Sequence, residues 1–250
     1  MNDDALKKAD GYDVYSVLRD DIINLRLRPG TFFSIRDICE VYQVGRSPGR
    51  EALIRLEQEG LITFLPQRGT MVSKLDLERI NNEWYIRKSI EENVMRDFVA
   101  VYSPTVILRL EESIQEQKDL EQKQDLRGFL DEDDRFHNIF YEEAGRLYCS
   151  SVIDKECSNY RRMRLLVQML DSGIMTGTIE EHEQIVSAVS TRDIEKVMFW
   201  FSLHVDRIQS QERKIVKRFS DLFINTQDSD RRDNHDLQSD FLVSIRAKGL

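Results

Sequence analysis

At 250 residues the chain has room for two domains, and a hydrophobic content of 40% supports ordinary globular cores. No apolar run approaches the roughly 18 residues that a membrane-spanning helix needs, the acidic, polar opening MNDDALKKAD is no secretory signal, and the odd cysteines Cys39, Cys149 and Cys157 lack CxxC spacing. A cytoplasmic protein with buried free thiols is the expectation. The net charge of −9 argues at first against nucleic acid. However, of 36 basic and 45 acidic residues, 11 of each lie in residues 1–74, so the remainder carries the whole deficit. Residues 26–74 hold 8 basic against 5 acidic residues, and DNA meets the local footprint rather than the global sum.

In chain order, residues 1–10 are expected to be frayed. Val14, Leu18, Ile22 (or Ile23) and Leu25 form the apolar stripe of a first helix, ended by Arg28-Pro29-Gly30. Residues 32–74 then predict a short helix, a tight turn, a longer helix and a two-stranded ribbon. Ser34 is placed to N-cap the short helix, whose apolar positions are Ile35, Ile38, Cys39 and Tyr42. Gln43-Val44-Gly45 ends it, with Gly45 in the left-handed turn. Ser47 caps the longer helix with Pro48 in its first turn, Ala52, Leu53, Leu56 and Leu61 face the core, and Gly60 closes it. The ribbon runs 62–66 and 70–72 around Gln67-Arg68-Gly69. Helix, turn, helix and wing is the shape that lays one helix in a major groove. Arg46 and Arg50, four apart, project from one face, Arg36 opens the short helix and Arg68 stands on the wing. Arginine there pairs with the two acceptors of a guanine or clamps a phosphate.

VGRSPGREALIRLEQEGLI followed by QRGTMV resembles the winged-helix signature of the GntR family of bacterial transcription regulators, with VYSVLRDDIINLRLRPGTFFS similar to that family's first helix and its turn. The resemblance implies a double-stranded DNA operator contacted by Arg36, Arg46, Arg50, Arg68 and Gly69, with Ser47 on a phosphate. The chain departs from the family pattern at Gly45, where Ser is usual, and at Gly49, where a bulky aliphatic is usual.

From the wing to about residue 226 nearly all the periodicity is helical: 77–102, 105–124, 126–143, 147–170, 179–190 and 194–223, with breaks at Gly145, Gly173 and Gly177. An all-α second domain over 75–226 is expected, followed by a polar, mobile tail over 227–250. The chain has only 4 histidines. Asp133 and His137 are one turn apart on one helix face, a spacing that lets carboxylate and imidazole converge on an ion. His182 and His204 fall on two further helices. Glu181, beside His182, is the one general-base candidate and is expected to face elsewhere.

Arg87–Glu91, Asp133–His137, Glu181-His182 with Ile185, and the late His204 together resemble the FCD effector domain of the FadR-like GntR subgroup. Arg146 stands where that pattern commonly has Asn. The resemblance implies that Asp133, His137, His182 and His204 ligate a metal. Three imidazoles and a carboxylate suit Zn²⁺, Ni²⁺ or Mn²⁺. It also implies that a small carboxylate effector binds over the metal with Arg87 as its clamp. The resulting expectation is a non-enzymatic, dimeric, metabolite-responsive regulator, in the repressing sense, on a near-palindromic operator. The rivals are a metal-free pocket for an acyl-CoA or larger ligand and, further off, a metal-dependent hydrolase.

Overall fold

The computed structural model describes residues 13–171 and 173–224, so the opening residues 1–10 and the tail 227–250 lie outside the described residues. The chain divides into two compact units, one up to Lys74 and one over Leu75–Phe223.

The first unit contains α1 (Val14–Ile23), β1 (Phe32–Phe33), α2 (Ile35–Val41), α3 (Arg46–Gln58), β2 (Ile62–Leu65) and β3 (Gly69–Val72). The wing is a three-stranded antiparallel sheet of order β1-β3-β2, not a two-stranded ribbon. Phe32 pairs with Met71 and Phe33 with Thr70; two residues are too few to show a period in sequence. Ser34 and Asp37 form a reciprocal capping box, each side chain accepting from the other's backbone amide. The core is a set of fully buried aliphatics, Leu18, Ile22, Leu27, Ile38, Leu56, Leu61 and Val72. Leu25 is not part of the first helix: the chain leaves α1 at Asn24 and Leu25 turns left-handed at φ 55, so Leu27 enters the core instead. Under α1, the carboxylate of Asp21, only 1% exposed, accepts from Tyr42 Oη at 2.9 Å and Arg26 Nε at 2.7 Å. Those bonds tie α1 to the end of α2.

Two local expectations fail at the turn. Gln43, not Gly45, takes the left-handed conformation (φ 51), and Gly45 is the extended N-cap of α3 with no side-chain cap bond. Ser47 therefore sits within the first turn of α3 rather than capping it. Gly60 does close α3 left-handed (φ 72).

The second unit is built from α4 (Leu77–Val101), α5 (Val106–Gln122), α6 (Leu126–Glu143), α7 (Leu147–Glu156), α8 (Ser158–Gln168), α9 (Gly173–Ser190) and α10 (Ile194–Arg218), closed by a 3-10 turn at Ser220–Leu222. Leu75 N–H donates to the Leu222 carbonyl at 2.9 Å, pinning the unit's two ends together. Phe98, Phe129, Phe136 and Phe201 fill the centre.

The expected helix over 147–170 is two helices, broken at Cys157 (φ −108, ψ 33). The cause is tertiary. The carboxylate of Glu83 on α4 accepts from the Tyr160 amide at 2.7 Å and from Asn159 Nδ2 at 2.7 Å, so it satisfies the first turn of α8 from outside. Gly173 marks the break between α8 and α9, of which it is the first residue, whereas Gly177 is not a break but lies inside α9. A Cβ on Gly177 would stand 2.4 Å from Arg207 Nη1, so the glycine makes room for a guanidinium. Cys157 is the buried thiol, its pKa pushed up to about 12 by burial, whereas Cys39 and Cys149 are only half-buried.

Gly49 is buried where α3 meets α2, and a Cβ there would lie 3.2 Å from Ile35 Cδ1, the tip of a flexible side chain. Gly49→Ala should therefore stabilise the first unit by up to about 1 kcal/mol through helix propensity. Gly49→Leu would be driven into Ile38 and Cys39 and should destabilise it by about 1–3 kcal/mol. Urea unfolding of the two variants checks both signs.

Candidate nucleic-acid interface and metal centre

On the first unit Arg46, Ser47 and Arg50 are all exposed at the start of α3. Neither arginine has an ion-pair partner among the described residues, so both charges face solvent. Arg68 is exposed on the wing and lies 5.0 Å over the Phe32 ring, which orients it without neutralising it. Gly69 beside it has φ 93, and a Cβ would press on the Phe33 carbonyl at 3.1 Å, so the wing tip requires glycine. Arg36 is exposed but pairs with Glu40 at 2.7 Å one turn on. An exposed pair of this kind is weak and exchangeable.

In the second unit Asp133 and His137 on α6, His182 on α9 and His204 on α10 present ligand atoms all within 4.8 Å of one another. His137 Nε2 lies 3.0 Å from His204 Nε2, which lies 3.4 Å from His182 Nε2. Asp133 Oδ1 is 3.5 Å from His182 Nε2. The outer nitrogens each face an acceptor. His182 Nδ1 donates to Gln117 Oε1 at 2.7 Å and His204 Nδ1 to Glu181 Oε2 at 3.1 Å. His137 Nδ1 lies 3.2 Å from Glu91 Oε1, off the line of a hydrogen bond. Acceptors on the outer side place the imidazole protons on Nδ1, which leaves three Nε2 lone pairs and a carboxylate oxygen facing one point. Such lone pairs repel one another, and a divalent cation satisfies all four. The donor set fits a metal.

The electrostatics agree. Burial, and then His204, hold His182 well below the ordinary histidine pKa, and burial lowers His204 as well, so both are neutral ligands near pH 7. Burial would raise the Asp133 carboxyl, but Arg164, ahead of the histidines, outweighs it and keeps Asp133 ionised.

Sequence reasoning missed the outer shell. Glu181 does not face elsewhere: besides His204 it accepts from Arg207 Nε at 3.0 Å, and Arg207 Nη2 donates to the Gly177 carbonyl at 2.7 Å. Gln117 and Arg164 carried no motif. Arg87 is buried and bonded to Glu91 at 3.0 Å, so Glu91 stands between the arginine and His137. Arg87, Arg161, Arg164, His137, Asn138 and Ser150 all line one cleft of about 580 Å³, counted with its open mouth. Of the four clustered residues this cleft touches His137, while a second one, lined also by Arg87, Arg164 and Arg207, touches Asp133 and His204.

Among the described residues no helix is long and apolar enough to cross a membrane. Residues 12–72 match the family described as bacterial regulatory proteins, gntR family, and residues 84–207 match the FCD domain. The chain is 29% identical over 217 residues to the HTH-type transcriptional repressor RspR of Escherichia coli (strain K12), a match covering 84% of this chain and 92% of that one. It is 25% identical over 205 residues to the gluconate operon transcriptional repressor of Bacillus subtilis (strain 168), covering 79% and 82%. Among solved structures, E. coli McbR/YncC has TM-score 0.68 at 16% identity, covering 82% of this chain and 96% of that one. Lar of Listeria monocytogenes has TM-score 0.59 at 17% identity, covering 83% and 99%. At these identities the structural likeness speaks to fold. The two sequence matches together span both units, and the chain belongs to the GntR family of bacterial transcription regulators, its second unit carrying the FCD domain.

Proposed function

We propose that this regulator is a cytoplasmic homodimer that binds a near-palindromic operator and represses transcription until a small carboxylate reaches a metal held in the FCD domain. The observation that carries the reading is the inward convergence of three histidine Nε2 atoms, at 3.0 and 3.4 Å, with the outer nitrogens facing acceptors. The repressing sense follows the relatives RspR and the gluconate operon repressor.

Asp133, His137, His182 and His204 would hold the ion, with Zn²⁺, Ni²⁺ and Mn²⁺ all compatible with the donor types. When bound, it supplies positive charge that attracts a carboxylate. Around it the chain's own residues do the selecting. Gln117 and Glu181 hold two rings in register, and Arg87 and its neighbours present guanidinium groups to an anion in the cleft. An effector changes operator affinity only by binding the two functional states differently. The relatives RspR and the gluconate operon repressor are transcriptional repressors, and the reading follows them rather than a metal-dependent hydrolase.

On the DNA side, Arg46 and Arg50 would enter the major groove at the start of α3, while Arg68 and Gly69 set the wing against the backbone. Arg50→Ala should weaken operator binding by about 1–3 kcal/mol. Fluorescence anisotropy on an operator fragment reads this directly, and unchanged affinity would remove Arg50 from the readout.

On the metal side, elemental analysis of tag-free protein should find one transition metal per chain. His182→Ala with His204→Ala should abolish it, and stoichiometric metal in that double variant would place the site elsewhere. Gln117→Ala and Glu181→Ala leave all four ligands in place and should each weaken metal affinity by about 10–100-fold, read by competition with a chromogenic chelator.

A further inference from the structure

The arginines of the FCD cleft already hold a carboxylate that belongs to the chain. Asp134 Oδ1 lies 2.5 Å from Arg164 Nη1 and 3.7 Å from Arg87 Nη1, and Asp134 Oδ2 is bonded by Arg161 Nη1. Each of these arginines has another acidic partner. Arg87 pairs with Glu91, Arg164 with Asp133 and Arg161 with Asp131. Asp134 is therefore the shared carboxylate, and its side chain is 31% exposed where those of Arg87, Arg161 and Arg164 are 7%, 14% and 8% exposed. Asp131 is more exposed still, at 65%, but it pairs with Arg161 alone among the three arginines.

We infer that Asp134 is a resident competitor in the arginine clamp, and that a small carboxylate binds by taking its place. The inference rests on the reading that the clamp receives the effector. Charge favours the exchange. Arg87, Arg161 and Arg164 stand against Glu91, Asp131, Asp133 and Asp134, and Asp154 also lines the cleft, a surplus of two negative charges. A divalent cation at the histidines would cancel this surplus, and removal of Asp134 from the clamp would leave one positive charge for an arriving carboxylate. An anion arriving while Asp134 remained would face a like charge across the same guanidinium groups. Exchange also has a structural consequence. Asp134 ties α6 to α8 through Arg161 and Arg164, so its departure releases one of the contacts that position α8, while Glu83 still holds the start of α8 against α4.

The test is calorimetric titration of malonate into zinc-loaded, full-length protein. Asp134→Asn keeps the shape and loses the charge, and it should bind malonate about tenfold or more tightly than the unsubstituted protein, since a like charge a few ångströms away is gone. Asp134→Glu restores the charge and should return the weaker affinity. Arg87→Gln, or Arg161→Gln if the former does not fold, should lose binding in either background. Unchanged or weaker binding by Asp134→Asn, with binding still lost in the arginine variants, would make Asp134 an anchor for the arginines and overturn the proposal while leaving the clamp standing. Malonate binding indifferent to the arginines, or absent in every protein, would overturn the clamp itself and the proposal with it.

Discussion

An imidazole buried in a helical core must find a partner for both nitrogens, and the FCD domain is arranged around that demand. Three such rings converge, and their outer nitrogens face Glu91, Gln117 and Glu181. The partners arrive from α4, α5 and α9. Two of the rings are hydrogen-bonded, His182 to Gln117 and His204 to Glu181, and these bonds specify how α5, α9 and α10 stand to one another. Hydrophobic packing alone, with Phe136 stacked on the His182 ring at 4.0 Å, would tolerate more than one register. Hydrogen bonds of fixed direction do not.

Buried charge in this domain is handled by chaining rather than by isolated pairs. Arg207 links the Gly177 carbonyl to Glu181 and thence to His204; Arg87 links Asp134 to Glu91 beside His137; Arg164 links Asp134 to Asp133. A lone buried arginine or carboxylate is expensive, and each here has an opposite charge beside it. In the proposed function, the charges that would answer a ligand stand within one residue of those beside the candidate metal donors, and shared side chains would be the physical basis for coupling the two.

The DNA-binding unit follows the opposite logic. Arg46 and Arg50 on α3 have no ion-pair partner among the described residues, so their charge is available to an outside acceptor, while Asp21 ties α1 to the end of α2 through Tyr42. A neutral unit with an uncompensated arginine face can meet phosphate despite the acidic remainder of the chain.

Much of this was legible before any coordinates. The Ser34 cap, helical periodicity and the positions of Gly60 and Gly69 are local signals, because each reports the backbone's own needs within a few residues, though the same reasoning misplaced the turn at Gln43 and the cap at Ser47. The Asp133–His137 spacing was local too, and family resemblance extended it to His182 and His204. What sequence misread is what other elements impose. Cys157 breaks a helix because Glu83, 74 residues earlier, caps the next one. Gly177 looks like a break and is instead a gap for Arg207. Phe32 and Phe33 become a strand only because β3 is there to pair with them. Glu181 and Asp134 sat in plain view beside named ligands, yet their partners lie on other helices. The sequence by itself determined most element types and the winged-helix shape, and with the family resemblance it supplied the inventory of candidate metal donors. Only the tertiary structure decided which donors share a point, which acidic residues hold them and which carboxylate stands in the clamp, because those depend on directions in space that no spacing along the chain encodes.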